Sequence, residues 1–170
     1  MNIRLVLSAF FSVLAITCVA QSSYERSIGL RFGTGHYDWV GASYKQFIDA
    51  DAAVEFNLGF SGNEKRWEGS DWDWSALSLS GSYQYHVDIP EVPGLKWFVG
   101  GGLSLYQGFS DMSDFSGFGA ALFPLGGADY KFGNMPLNVT ADLRPTIYID
   151  GLKQRGGFFP NIGVAARYTF

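Results

Sequence analysis

The sequence is short of charge, of cysteine and of helical periodicity, and each shortage closes off a class of protein. Asp, Glu, Lys and Arg make up only 16% of the 170 residues, against about 25% in soluble domains. A water-facing domain this poor in charge would struggle to cover its surface, whereas a protein whose outside meets lipid has no such need. The single cysteine, Cys18, excludes an internal disulfide and a thiolate metal site. Histidine occurs only as His36 and His86, which restricts the choice of a catalytic base. The formal net charge of −4 argues against nucleic acid as a partner. After Gln21 no stretch repeats its apolar residues every third or fourth position, so no amphipathic helix is predicted.

The first twenty residues stand apart. Arg4 is the only early charge, Leu5 to Ile16 is apolar except for Ser8 and Ser12, and Cys18-Val19-Ala20 puts a small residue before Gln21. These are the basic, apolar and cleavage regions of a secretory signal, expected over 1–20 and cut between Ala20 and Gln21. The apolar stretch is too short for a spanning helix, which needs roughly 20 residues. Acylation at Cys18 would call for Gly, Ala or Ser before it, and Thr17 occupies that place. Residues 21–170 are expected to form one domain.

What the chain does have is glycine, aromatics and a period of two. There are 22 glycines, and aromatics reach 17%. Eight alternating runs fall near 24–33, 37–47, 52–61, 74–87, 95–107, 117–132, 137–149 and 158–170. The alternation sorts residues onto two faces. One holds Ile28, Leu30 and Phe32, then Phe56, Leu58 and Phe60, and so on to Ile162, Val164 and Phe170, with no charge in it. The other holds serines, glycines and a few ions.

A soluble lipid-carrying barrel would turn the apolar face inward. The Gly- and Ser-rich character of the polar face fits a crowded interior better. Aromatics also collect at strand ends, as they do at lipid headgroups. Tyr44, Tyr85, Trp97, Tyr130, Tyr168 and Phe170 form one expected girdle; Phe32, Trp39, Phe60, Trp74, Phe118 and Phe158 form the other. Connections at Asp49–Asp51, Asp88–Gly94 and Gly133–Pro136 are short, and those at Ser61–Asp73, Gly108–Ser116 and Asp150–Gly157 are longer. Short periplasmic turns and longer outer loops are the asymmetry of bacterial outer-membrane barrels. The expected fold is all-β: an eight-stranded antiparallel up-and-down transmembrane barrel with both termini periplasmic.

The C-terminal run Gly163-Val-Ala-Ala-Arg-Tyr-Thr-Phe170, with Tyr168 two positions before the terminal Phe170, resembles the signal by which outer-membrane barrels reach their assembly machinery. Residues 21–170 resemble the small OmpA/OmpX-like outer-membrane barrels of Gram-negative bacteria. The resemblance implies membrane location and assembly route, with outer-membrane lipids, lipopolysaccharide included, as neighbours. It transfers no function, because such scaffolds host many. A peptidoglycan-binding domain of the kind attached to OmpA-type barrels is not expected here.

Eight strands enclose a lumen that side chains fill, so a diffusion pore is not expected. Arg31, Glu55, Asp129, Asp142, Arg144 and Arg167 are candidates for a lumen charge network that fixes register, since buried charges persist only when paired. Lys45, Lys96 and Lys131 lie near periplasmic strand ends and are expected to reach water. A gated ion conduit is the alternative for the same residues. No catalytic residue, metal or cofactor is expected, and the chain is expected to be monomeric.

A lipid A acyltransferase or deacylase would need a Ser–His–carboxylate set at the outer rim. His36 with Ser70 and Asp71 is the available combination, while His86 lies at the periplasmic end. Gly100-Gly101-Gly102 has no helix after it and is no phosphate cradle; close packing is the expected use. Asp111 and Asp114, with Ser110 and Ser113, fall short of a calcium ligand set. Outer-loop Trp67, Trp72, Lys153 and Arg155 offer interfacial anchoring or contact with lipopolysaccharide phosphates.

Overall fold

The computed structural model describes residues 24–67, 70–110, 116–149 and 157–170. The expected signal peptide and cleavage site fall outside them, as do Asp111, Ser113, Asp114, Lys153 and Arg155. Eight strands follow in order: β1 (Arg26–Gly33), β2 (Val40–Phe47), β3 (Ala52–Trp67), β4 (Ser70–Asp88), β5 (Leu95–Ser110), β6 (Gly117–Lys131), β7 (Leu137–Ile149) and β8 (Gly157–Thr169). Each pairs antiparallel with the next, and β1 closes on β8 from Ser27↔Thr169 to Gly33↔Gly163. Closure removes the exposed edges that an open sheet would present.

Short connections make the hairpins. Ile48 N–H donates to the Ala52 carbonyl at 2.8 Å, closing the β2–β3 turn. Between β4 and β5, Gly94 adopts φ 86°, a left-handed conformation that favours glycine. Its carbonyl accepts from Lys131 N–H at 2.8 Å, and a Cβ at Gly94 would run into the Lys131 carbonyl.

The packing is inverted relative to a soluble barrel. Leu30, Leu58, Leu79 and Leu103 on the outside are about half exposed, at 51–57%, while Lys45, Glu55 and Arg167 are at 0–1%. Between the two girdles no charge interrupts the outward rows. Water would penalise such an exterior and hydrocarbon would not. Tyr85, Trp97 and Phe170 are exposed at one end of the barrel, and Phe32, Trp39, Phe60, Phe118 and Phe158 at the other.

Three expectations are corrected. Trp74 does not belong to the outer girdle. It lies on the inward row of β4 with Ala76 and Ser78 and is 5% exposed, as the period of two counted back from Leu77 requires. Residues Ser61–Asp73 are mostly not a loop: β3 and β4 run on and pair as far as Trp67↔Ser70. Their polar composition hid the strand, because pairing above the lipid demands no apolar face. Among the described residues the pairing with β2 ends at Val40↔Phe60 and that with β5 at Trp74↔Ser110. Finally, β2 starts at Val40 and not near 37, because residues 34–39 fold into the barrel mouth.

Leu103 lies midway between Trp97 and Phe109 on the outward row of β5. Leu103→Arg is expected to destabilise the barrel by about 2–4 kcal/mol, read by urea titration in lipid vesicles. A loss below about 0.5 kcal/mol would contradict a lipid-facing Leu103.

Candidate functional site: the filled lumen

Side chains on the inward rows occupy the lumen in three tiers. At the barrel end that carries both termini the Lys45 ammonium donates to Asp129 Oδ2 at 2.6 Å and lies 2.9 Å from His86 Nε2. Asn138 Nδ2 donates to Asp129 Oδ1 at 2.5 Å, and the Tyr24 hydroxyl to Oδ2 at 2.9 Å. Burial and the Asp129 carboxylate hold the Tyr24 phenol well above its ordinary value, so it stays a donor. The Lys45 charge also lies 4.9 Å from the centre of the Phe98 ring, a favourable cation–π placement.

Lys45 is fully buried and does not reach water as expected from its place near a strand end; Asp129 and His86 enclose it. Lys131 is spent on the carbonyls of Phe132 and Met135, at 2.6 and 2.9 Å. Lys96 is the half-exposed one, pairing with Asp88 at 3.1 Å.

The middle tier is an alternating chain of ions. Asp38 Oδ2 meets Arg31 NH1 at 2.9 Å, and Arg31 NH2 meets Asp142 Oδ1 at 2.8 Å. Asp142 Oδ1 also accepts from Arg144 Nε at 2.6 Å, and Arg144 NH2 meets Glu55 Oε1 at 2.8 Å. Glu55 Oε2 then faces Arg167 NH2 at 2.9 Å. Neutral groups fill remaining positions: Gln84 and Asn57 donate to Glu55 at 2.9 and 3.0 Å, and Arg167 donates to Ser43 and Thr140, both at 2.9 Å.

With the Lys45–Asp129 pair the lumen ion pairs join four cations (Arg31, Lys45, Arg144, Arg167) to four anions (Glu55, Asp129, Asp142 and the half-buried Asp38), while buried Lys131 is met by backbone carbonyls. Such balance is what burial of charge demands. Room for it comes from glycine: a Cβ on Gly163 would overlap the Arg31 guanidinium.

The outer tier is aromatic. Tyr37, in the first outer connection, stacks on Tyr106 at 4.0 Å and 7°, with Tyr148 edge-on to both at 5.5 and 5.7 Å. The connection is tied down by the Asp38–Arg31 pair, by Thr34 N–H to Asn161 Oδ1 at 3.2 Å, and by Ser61 Oγ to the His36 carbonyl at 2.9 Å. His36 packs on Phe159 at 4.3 Å between ring centres and is not a solvated loop histidine. Between the outer and middle tiers lies a cavity of about 20 Å³ of water-accessible space, enough for a water or two.

Of the expected network, Arg31, Glu55, Asp142, Arg144 and Arg167 come together directly, whereas Asp129 belongs to the separate tier around Lys45. Asp38 and His86 join these tiers without having been read as lumen residues. His86 could have been found, since it shares the inward parity of Gln84. Asp38 could not, because nothing in a loop announces that it folds inward. Phe98, Tyr106 and Phe123 are also inside, opposite in parity to Trp97, Leu105 and Leu122. A Cβ on Gly102 would strike the Phe123 ring and one on Gly100 the Tyr83 carbonyl; close packing accounts for these two of the three strand glycines.

His36, Ser70 and Asp71 are not assembled. The His36 carbonyl is held by Ser61, whereas Ser70 pairs with Trp67, six residues farther along β3, or about 20 Å at strand rise. Among the described residues no three His, Cys, Asp or Glu side chains are grouped to hold a metal. The arrangement suits holding strands in register and blocking the lumen.

Neisserial surface protein A superposes on this chain with a TM-score of 0.51 and 16% identity, covering 90% of this chain and 100% of that one. Ail, the attachment invasion locus protein of Yersinia pestis, gives 0.47 and 14%, over 85% and 96%. Acinetobacter baumannii CarO gives 0.46 and 9%, over 85% and 97%. No protein-family model and no curated protein matches the sequence. The fold, a closed eight-stranded antiparallel β-barrel, is the one shared with Neisserial surface protein A.

Glu55 is 1% exposed and neutralises two arginines. Glu55→Ala leaves Arg167 without a carboxylate and Arg144 with Asp142 alone, so a loss of about 3–5 kcal/mol is expected. Asp88→Ala at the exposed Lys96 pair should cost about 0–1 kcal/mol. Equal effects in equilibrium unfolding from vesicles would show that the chain of ions contributes no more than a surface pair.

Proposed function

We propose that the protein is an integral barrel of the Gram-negative outer membrane that conducts no ions and performs no catalysis. In this reading it is a monomeric, rigid scaffold with periplasmic termini, holding the β3–β4 ribbon and the outer connections at the cell surface for structural or recognition roles. The observation that carries it is the closed lumen: a neutral chain of ion pairs from Asp38 to Arg167, capped by the Tyr37–Tyr106 stack. An ion crossing that lumen would have to separate buried pairs in a low dielectric.

The outward apolar band supports residence in lipid, and the outer charges on the ribbon suit a surface rich in lipopolysaccharide. Tyr168 and Phe170 are the proposed assembly signal. Their rings lie 6.4 Å apart at the open end of β8, with Phe170 59% exposed, within reach of a receptor in the periplasm. Loops on a rigid scaffold are where recognition usually resides.

Planar-bilayer recording of the purified protein is expected to show no stable unitary conductance, and heating is expected to shift its gel migration. Steady single-channel currents would overturn the closed-lumen reading. Mass spectra of lipid A from cells with and without the protein should coincide; a mass change lost in His36→Ala would overturn the non-enzymatic one.

A further inference from the structure

The β6–β7 seam is the one interrupted ladder among the described pairs. Its register runs from Ala120↔Ile149 to Leu122↔Ile147 and resumes at Gly126↔Leu143. The other seven ladders are continuous. Pro124 and Pro145 face each other at the centre of the gap. Phe132 N–H donates to the Leu137 carbonyl, so even positions of β6 and odd positions of β7 turn their backbone polar groups into this seam. Pro124 and Pro145 are both of that set, and neither has an N–H. The pair that should exchange two hydrogen bonds therefore exchanges none, and both carbonyls lose their cross-strand donors. Bonded pairs on either side are four residues apart, about 13 Å, twice the usual interval.

Sequence and position make this costly to maintain without a use. Proline in sheets is confined to edges and bulges, and an unsatisfied carbonyl at bilayer depth costs several kcal/mol. Directly behind the gap lies the internal cavity, whose wall includes Ala121 and Phe123 from β6 and Arg144, Thr146 and Tyr148 from β7. Its other side presents the hydroxyls of Ser78, Ser80 and Ser104. The charged groups on its wall are already matched, Arg144 to Asp142 and Glu55, and Asp38 to Arg31. A charged guest would gain no partner there, whereas a hydroxyl-bearing one meets donors and acceptors.

We infer that the β6–β7 seam is a lateral gate between the bilayer and this cavity, admitting the uncharged, hydroxyl-bearing head of a single-chain amphiphile. The alkyl chain stays in lipid against Leu122, Leu143 and Ile147, and the Pro124 and Pro145 carbonyls accept hydroxyl hydrogen bonds during passage. The cavity as it stands has about 20 Å³ of water-accessible space; parting the seam, where no bonded pair spans the middle, supplies the rest. This goes beyond a closed, non-conducting lumen and is independent of it, since entry is from the side.

The test uses the protein in phosphatidylcholine nanodiscs with 1-dodecanoylglycerol as probe, read by native mass spectrometry. Pro124→Cys with Pro145→Cys allows a disulfide across the gap; Leu105→Cys with Ala120→Cys, a pair in the continuous β5–β6 ladder, is the control. Wild type and the oxidised control are expected to retain one probe molecule, and the oxidised gap variant, its seam closed by the disulfide and by the two restored N–H donors, about tenfold less. Equal retention in both oxidised variants, or none in wild type, would overturn the gate. Hydrogen exchange on the unaltered protein guards against a variant that fails to fold. The amides of Leu122, Gly126, Leu143 and Ile147 should exchange about tenfold faster than amides bonded across β5–β6, and equal rates would also overturn it. Single-channel currents would contradict the closed lumen while leaving these outcomes unaffected.

Discussion

Hydrocarbon offers no partner to a peptide N–H or C=O, so a chain crossing it as strands must pair every strand on both sides. That constraint closes β1 on β8 and, through closure, dictates most of what else is seen. A closed ring of eight strands has an inside too narrow for bulk water. Alternation sends every second side chain there, and the residues lipid will not accept are the ones that go. The lumen is thus polar by exclusion, and its charges must find one another. Their solution is a linear alternation, Asp38–Arg31–Asp142–Arg144–Glu55–Arg167, with Gly163 on the neighbouring strand giving the Arg31 guanidinium room.

The same constraint gives the β6–β7 seam its meaning. Elsewhere the described ladders satisfy the backbone without a break, yet two prolines face each other at the one pair whose polar groups point into their shared seam. Had either proline stood one residue along its strand, its missing donor would have faced a different neighbour and the two losses would not coincide. A weak place in the wall, a polar cavity behind it and an apolar surface outside it form one local arrangement. The rigid ionic middle of the lumen lies just below.

Recognition in small barrels is commonly carried by what projects from the sheet. Here the projection is itself sheet: β3 and β4 continue as a two-stranded ribbon, paired as far as Trp67↔Ser70. The first outer connection does the opposite and turns inward, carrying Tyr37 and Asp38 into the mouth. One connection thus closes the barrel and another extends it.

The barrel was legible in the sequence because its signal is local: a strand facing lipid on one side must alternate, and residues such as Leu77, Leu79 and Tyr83 carry that rule within a few positions. Parity alone also located Arg31, Glu55, Asp142, Arg144 and Arg167 in the lumen. Which ion meets which was decided only by tertiary structure, since Glu55 and Arg144 are 89 residues apart and meet because closure brings β3 and β7 across one narrow space. The inward fold of residues 34–39, the burial of Lys45 and the extension of β3 and β4 past the membrane were likewise hidden. Above and within the barrel mouth no apolar face is required, and there the alternation that writes the strands into the sequence falls silent.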